Sequence, residues 1–128
     1  MKQLTREWVA KAEGDFPSCL RETRARKNPN HDSACFHAQQ CVEKYLKARL
    51  KEACAPVPKT HNVEDLLNRL LAFEPQWATL KPMLINLSNY AVVFRYPGLR
   101  ASKADGRQAR TACQVVRRTV RRSLGLKY

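Results

Sequence analysis

Apolar residues recur three or four positions apart along almost the whole chain, and no stretch alternates apolar with polar over the length of a strand. That periodicity confines the fold to packed helices. Trp8, Ala12, Phe16, Cys19 and Leu20 form a first stripe, with Pro17 placed to kink this helix or displace its boundary. Arg24 to Asn30 is a polar turn. Asp32 or Ser33 is the expected cap of a second helix, whose stripe is Phe36, Gln40, Val42, Tyr45, Leu46 and Leu50. Ala55-Pro56-Val57-Pro58 stops it, because each proline disfavours helix at the residue before it.

Asn62 with Asp65 resembles a capping box, opening a third helix whose apolar face is Leu66, Leu67, Leu70, Leu71 and Phe73. Pro75 opens a further stripe of Trp77, Leu80, Leu84, Leu87, Ala91 and Phe94, with a kink or break expected at Pro82. Tyr96-Pro97-Gly98 reads as a turn. Ser102 with Asp105 caps a last helix carrying Ala109, Ala112, Cys113, Val116, Val120 and Leu124. The one β-like run, Ala91 to Phe94, continues a helical stripe, and 4 glycines are too few for several strand turns. The expectation is an all-α protein: one domain over residues 1–128, an antiparallel up-and-down bundle of four or five helices.

Charge narrows the partners. Lys and Arg number 24 against 11 Asp and Glu, a formal net charge of +13. Such a field favours RNA, DNA, a nucleotide, an acidic protein or an anionic membrane, or else only keeps a solvated surface soluble. The bases cluster at Arg100, Lys103, Arg107, Arg110, Arg117, Arg118, Arg121, Arg122 and Lys127, opposed locally by Asp105 alone. Phosphate contacts of that kind give affinity without sequence choice. A membrane fits poorly, since the apolar side of this helix is Ala, Cys and Val with no aromatic anchor. No run of apolar residues is long enough to span a bilayer, and no segment looks like a secretory signal. The 5 cysteines include no CxxC pair, which suits reduced buried thiols in a cytoplasmic protein. His31, His37 and His61 are not spaced as a metal set. Walker, GxGxxG and Gly-x-Ser-x-Gly motifs are absent, so neither a metal nor another cofactor is expected.

Phe36-His37-Ala38-Gln39-Gln40-Cys41-Val42-Glu43-Lys44-Tyr45-Leu46-Lys47-Ala48 resembles the second-helix signature of HEPN domains. Thr60-His61-Asn62-Val63-Glu64-Asp65-Leu66-Leu67 is similar to the segment that follows it. Tyr90 to Gly98 resembles the family's Arg-Tyr-Pro turn, and Trp8, Ala12 and Asp15 fit its first helix. The order and spacing agree from about Trp8 to Leu124. The resemblance implies an antiparallel helical bundle, commonly a homodimer. It also implies one of two activities: metal-independent endoribonuclease, often a toxin of a toxin–antitoxin pair, or nucleotide binding beside a minimal nucleotidyltransferase.

Ribonuclease members place a His after an Arg and four to six residues. The imidazole moves a proton at the 2′-hydroxyl or the 5′-oxygen, and the guanidinium holds the scissile phosphate. Arg95 occupies the Arg position here, but Arg100, Ala101 and Ser102 stand where the His would be. Arg26 to His31 meets the spacing in the first interhelical turn, outside the family's position for it. The leading expectation is therefore a nucleotide- or RNA-binding bundle with a minimal nucleotidyltransferase partner. A ribonuclease with a non-standard residue set, His31 and His61 being weak catalytic candidates, is the alternative. Arg95 and Tyr96 form the first candidate site, a guanidinium for phosphate beside a ring for stacking, held by helices packed on both sides. His37 and Lys44 share a helix face and, with Lys47 and Lys51, form a basic stripe. Arg117 and Arg121 add the field of the last helix.

Overall fold

The computed structural model describes residues 1–128 and contains only helices: α1 (Gln3–Arg24), α2 (His31–Glu52), α3 (Val63–Leu70), α4 (Lys81–Val93) and α5 (Lys103–Ser123), with a 3₁₀ segment, Pro75–Leu80, before α4. The expected residue caps the helix at two of three starts, as a reciprocal box at α5 but as a single bond at α3. Asn62 accepts from the Asp65 amide, and Ser102 with Asp105 forms a reciprocal capping box. At the third, α2 begins two or three residues earlier than expected. Asn30, not Asp32 or Ser33, is the cap, accepting from the Ser33 amide at 2.9 Å. Asp32 is thereby released to bond elsewhere. Pro82 marks the break between the 3₁₀ segment and α4, in whose first turn a missing N–H costs nothing. Pro17 neither ends nor displaces α1, which runs continuously to Arg24.

Side-chain pairs fix the directions. Thr5 meets Glu52 and Asp15 meets Lys44, so α1 and α2 are antiparallel. Thr23 meets Arg110 and Glu13 meets Arg121, so α5 is antiparallel to α1 and parallel to α2. Tyr90 meets Gln108 across the antiparallel α4–α5 pair. Up-and-down alternation holds from α1 through α2 and α4 to α5.

Helix α2 sits at the centre, with Cys35, Ala38, Cys41, Val42, Tyr45, Leu46, Ala48 and Leu50 all buried. It packs on α1, α3, α4 and α5. Around it lie the α3 leucines, Leu84, Leu87 and the small-residue stripe of α5. Burying a leucine contributes roughly 1.5–3 kcal/mol. Gly106 on α5 lets the His31 ring approach: a Cβ there would lie 3.4 Å from His31 Nδ1. Phe36, on the apolar stripe by spacing, is 46% exposed. Phe73 is exposed too, in the turn after α3.

Candidate nucleotide and RNA interface

Most of the cations singled out by sequence face acids inside the bundle. Asp15, from α1, receives Lys44 Nζ at 2.5 Å and His37 Nδ1 at 3.1 Å. Glu13, also on α1, accepts from Arg117 Nε and Arg121 Nη1, both at 2.8 Å, and from the Tyr45 hydroxyl. Arg121 also donates to Tyr45 Oη at 3.0 Å. Glu43, 5% exposed at its side chain, pairs with Lys47, 6% exposed, at 3.1 Å. The same carboxylate meets His61 Nδ1 at 3.0 Å, while Gln39 Nε2 reaches the His61 carbonyl at 2.7 Å. Lys47 also lies over the Trp8 ring and Arg117 over Phe16.

In the basic stripe of α2, His37, Lys44 and Lys47 are thus neutralised from α1 and from within α2, while Lys51 has no acidic partner. Burial, then the bond to Glu13, pushes the Tyr45 hydroxyl well above its ordinary range. Sequence reasoning missed Glu13, Asp15 and Glu43 as partners. The Trp8–Ala12–Asp15 phase of α1 was the signal that placed Asp15 on the inward face.

Arg95 and Tyr96 lie elsewhere, just past α4. The expectation of a turn clamped on both sides is not met: Arg95 is exposed with no side-chain partner, and Tyr96 is 61% exposed. The backbone there turns in short i to i+3 bonds, which Pro97 and Gly98 (φ +85°) let run out over solvent. Arg95 nevertheless borders a cavity of about 330 Å³, with Asn30, Asp32 and Ser33 at the start of α2 and the rings of Phe36, Tyr90 and Phe94. Tyr90 and Phe94 stack with centroids 5.6 Å apart, and desolvation raises the Tyr90 hydroxyl above its ordinary range.

A second cavity of about 520 Å³ shares Asn30 and Asp32 with the first and adds Asn28, His31 and Arg100. Asp32 anchors both by accepting from the Ala101 amide at 2.6 Å. The segment before α5, where the ribonuclease motif lacks its histidine, is therefore tied beside His31. His31 Nδ1 is buried without a partner. The structure brings His31 and Arg100 to one cavity next to Arg95. His61, 73% exposed at its side chain, is held on Glu43 by another part of the fold. No three His, Cys, Asp or Glu side chains converge as a metal-ligand set.

The bundle, with its central α2 and basic α5, matches the model of the HEPN domain over residues 5–123. The chain belongs to the HEPN family, a class of nucleotide- and RNA-related helical proteins. Among solved structures it is similar to the crystal structure of TT1696 from Thermus thermophilus, with a TM-score of 0.79 and 21% identity over 94% of this chain and 98% of that one. This likeness is one of fold. No curated protein matches the sequence significantly. No helix is long and apolar enough to cross a membrane.

Proposed function

We propose that this HEPN chain binds a nucleotide, or a base and phosphate of RNA, at the start of α2, and that it works in the cytoplasm as a homodimer beside a minimal nucleotidyltransferase. The observation that carries the binding site is the cavity joining the unpaired Arg95 to Phe36, Tyr90 and Phe94. Aromatic faces take any base, at roughly 1–3 kcal/mol per stacked base. A guanidinium gives phosphate a charge-assisted, two-pronged contact. Asn30 and Ser33 offer polar groups to a base edge. Nearby Val92, Val93, Tyr96 and Leu99 are exposed, an apolar cluster suited to a second copy. The nucleotidyltransferase partner rests on the family resemblance.

Titration of labelled oligonucleotide and of ATP tests the site. Arg95→Ala should weaken binding about tenfold, the loss of one charge-assisted contact of roughly 1.5 kcal/mol. Wild-type affinity in a folded Arg95→Ala protein sinks the assignment. Light scattering should report about twice 14.7 kDa at micromolar protein; a monomer mass sinks the dimer.

One observation favours a second reading, a metal-independent ribonuclease toxin. His31 lines the cavity that Arg100 borders, beside Arg95. There the imidazole would take the 2′-hydroxyl proton as the 2′-oxygen attacks phosphorus, and return it to the 5′-oxygen as the P–O5′ bond breaks to leave a 2′,3′-cyclic phosphate, while the arginines hold the phosphate. Cleavage of single-stranded RNA in chelator, abolished by His31→Ala, would establish it. Intact RNA leaves binding alone.

A further inference from the structure

Helix α5 sorts its cations onto two faces. Arg110, Arg117 and Arg121 turn toward α1, where Thr23 and Glu13 receive them. Lys103, Arg107, Arg118 and Arg122 are exposed, and none of them has an acidic partner. At 100° per residue, Arg107, Arg118 and Arg122 fall within about 60° of one line along the helix, whereas Lys103 shares the azimuth of Arg121. Arg107 and Arg118 are about 16 Å apart along the axis at 1.5 Å per residue.

The spaces beside that line are already formed. Arg107 borders a cavity of about 360 Å³ between α4 and α5, with Asn86, Tyr90, Gln108 and Thr111. Arg118 and Arg122 border a cleft of about 490 Å³ between α5 and the 3₁₀ segment, with Gln76, Thr79 and Thr119. The one acid of that cleft, Glu74, is engaged by Arg49 and Gln76. Tyr90 is a wall of both the α4–α5 cavity and the Arg95 cavity, so the two adjoin. Beyond Tyr90 no ring in these spaces offers a stacking face: Trp77 is buried, and Tyr128, past the far end, is taken up by Arg122. Cations and hydroxyls without aromatic platforms suit a phosphodiester backbone rather than bases.

We infer that the ligand is an extended single strand of RNA, whose backbone leaves the Arg95 cavity past Tyr90 and follows Arg107, Arg118 and Arg122 along α5. The inference rests on the reading of the Arg95 cavity as a base-and-phosphate site. It makes a mononucleotide a fragment of the true ligand.

Binding of a labelled eight-nucleotide oligouridylate and of a dinucleotide is measured from 50 to 300 mM salt. The wild type should hold the octamer at least tenfold tighter than the dinucleotide. In Arg107→Gln/Arg118→Gln that advantage should vanish, and the logarithmic salt slope for the octamer should drop by about 1.4, two contacts at about 0.7 each. Arg117→Gln/Arg121→Gln should leave the slope unchanged. If Arg107→Gln/Arg118→Gln keeps both length preference and slope while Arg95→Ala weakens both ligands, the track is wrong and the cavity stands. If neither ligand binds the wild type, both fall. Equal competition by polyglutamate of matched charge also overturns the track, because the face then serves any polyanion.

Discussion

The flank of the bundle facing α1 and the rim running from Arg95 along the outer side of α5 are built from the same basic residue types, with opposite results. On the α1 flank Lys44, Lys47, Arg117 and Arg121 each meet a carboxylate: Asp15, Glu43 or Glu13. On the rim Arg95, Arg100, Arg107 and Arg118 meet none. The difference comes from where the acids are, not from where the bases are. The chain places acids on α1 and within α2, and leaves the 95–122 segment with Asp105, which is used in a cap. Formal charge is therefore a poor guide to a binding face until pairing is known. A buried cation with its acid serves the fold, and an exposed one without an acid contributes field.

Removing an acid from the α1 flank should have the largest effect. Glu43→Ala leaves the Lys47 ammonium buried and unpaired, at a cost of about 3–5 kcal/mol. That is roughly a 10–20 °C fall in melting temperature, checked by calorimetry. Glu43→Leu with Lys47→Met should recover most of it, because the pair's main penalty is desolvation. If Glu43→Ala melts like the wild type, the flank is not held by pairing and the contrast with the rim collapses.

Alkali should act next. Burial raises the Cys35 thiol from 9.0 to about 12, and the Cys19 thiol, through its bond to Cys113 and burial, goes higher still. A folded value above the unfolded one means the folded state holds the proton longer. Stability is then fully present below about pH 9 and is lost as pH rises from there toward 12. From Cys35 alone the loss at pH 10.5 is about 2 kcal/mol. Urea midpoints that stay flat from pH 8 to 10.5 would contradict it. In the folded protein at pH 8, a thiol reagent should label exposed Cys54 and spare the four buried cysteines.

How far the sequence revealed this contrast follows from range. The elements that depend on neighbours in sequence were legible: the Asn62 and Ser102 caps, the break at Pro82, the α5 core stripe and four buried cysteines, whereas Cys54, expected to be buried with them, is exposed. Pro17 does not displace the end of α1, because tertiary packing on α2 outweighs one lost helical bond. Asp32 misled because it can satisfy either its own helix or the distant Ala101 amide, and the fold uses it for the second. The paired cations were misread for the same reason at longer range. Glu13 and Arg117 are 104 positions apart, and no local pattern links them. Arg95 was placed correctly in a turn, but the rigidity expected of it was not found. Helical spacing also put Phe36 in the core, whereas it forms the wall of a surface cavity.

The smallest effect expected is that of His61→Ala, and it tests whether pairing on the α1 flank is graded by burial. His61 and Lys47 share one carboxylate, so a view that counts bonds would rank them alike. Burial ranks them apart. Lys47 is 6% exposed at its side chain and His61 73%. Water around the imidazole replaces most of what Glu43 gives it, and exposed pairs contribute about 0.2–1 kcal/mol. The Gln39 bond to the His61 carbonyl is a backbone contact that alanine retains. Glu43 would still have Lys47, so no charge is orphaned. His61→Ala should therefore lower stability by less than about 1 kcal/mol and leave oligonucleotide binding within twofold, measured by urea denaturation and titration. A loss as large as that of Glu43→Ala would mean that His61 locks the segment between α2 and α3. A binding loss without a stability loss would move the ligand onto the α1 flank and reverse the contrast between the two regions.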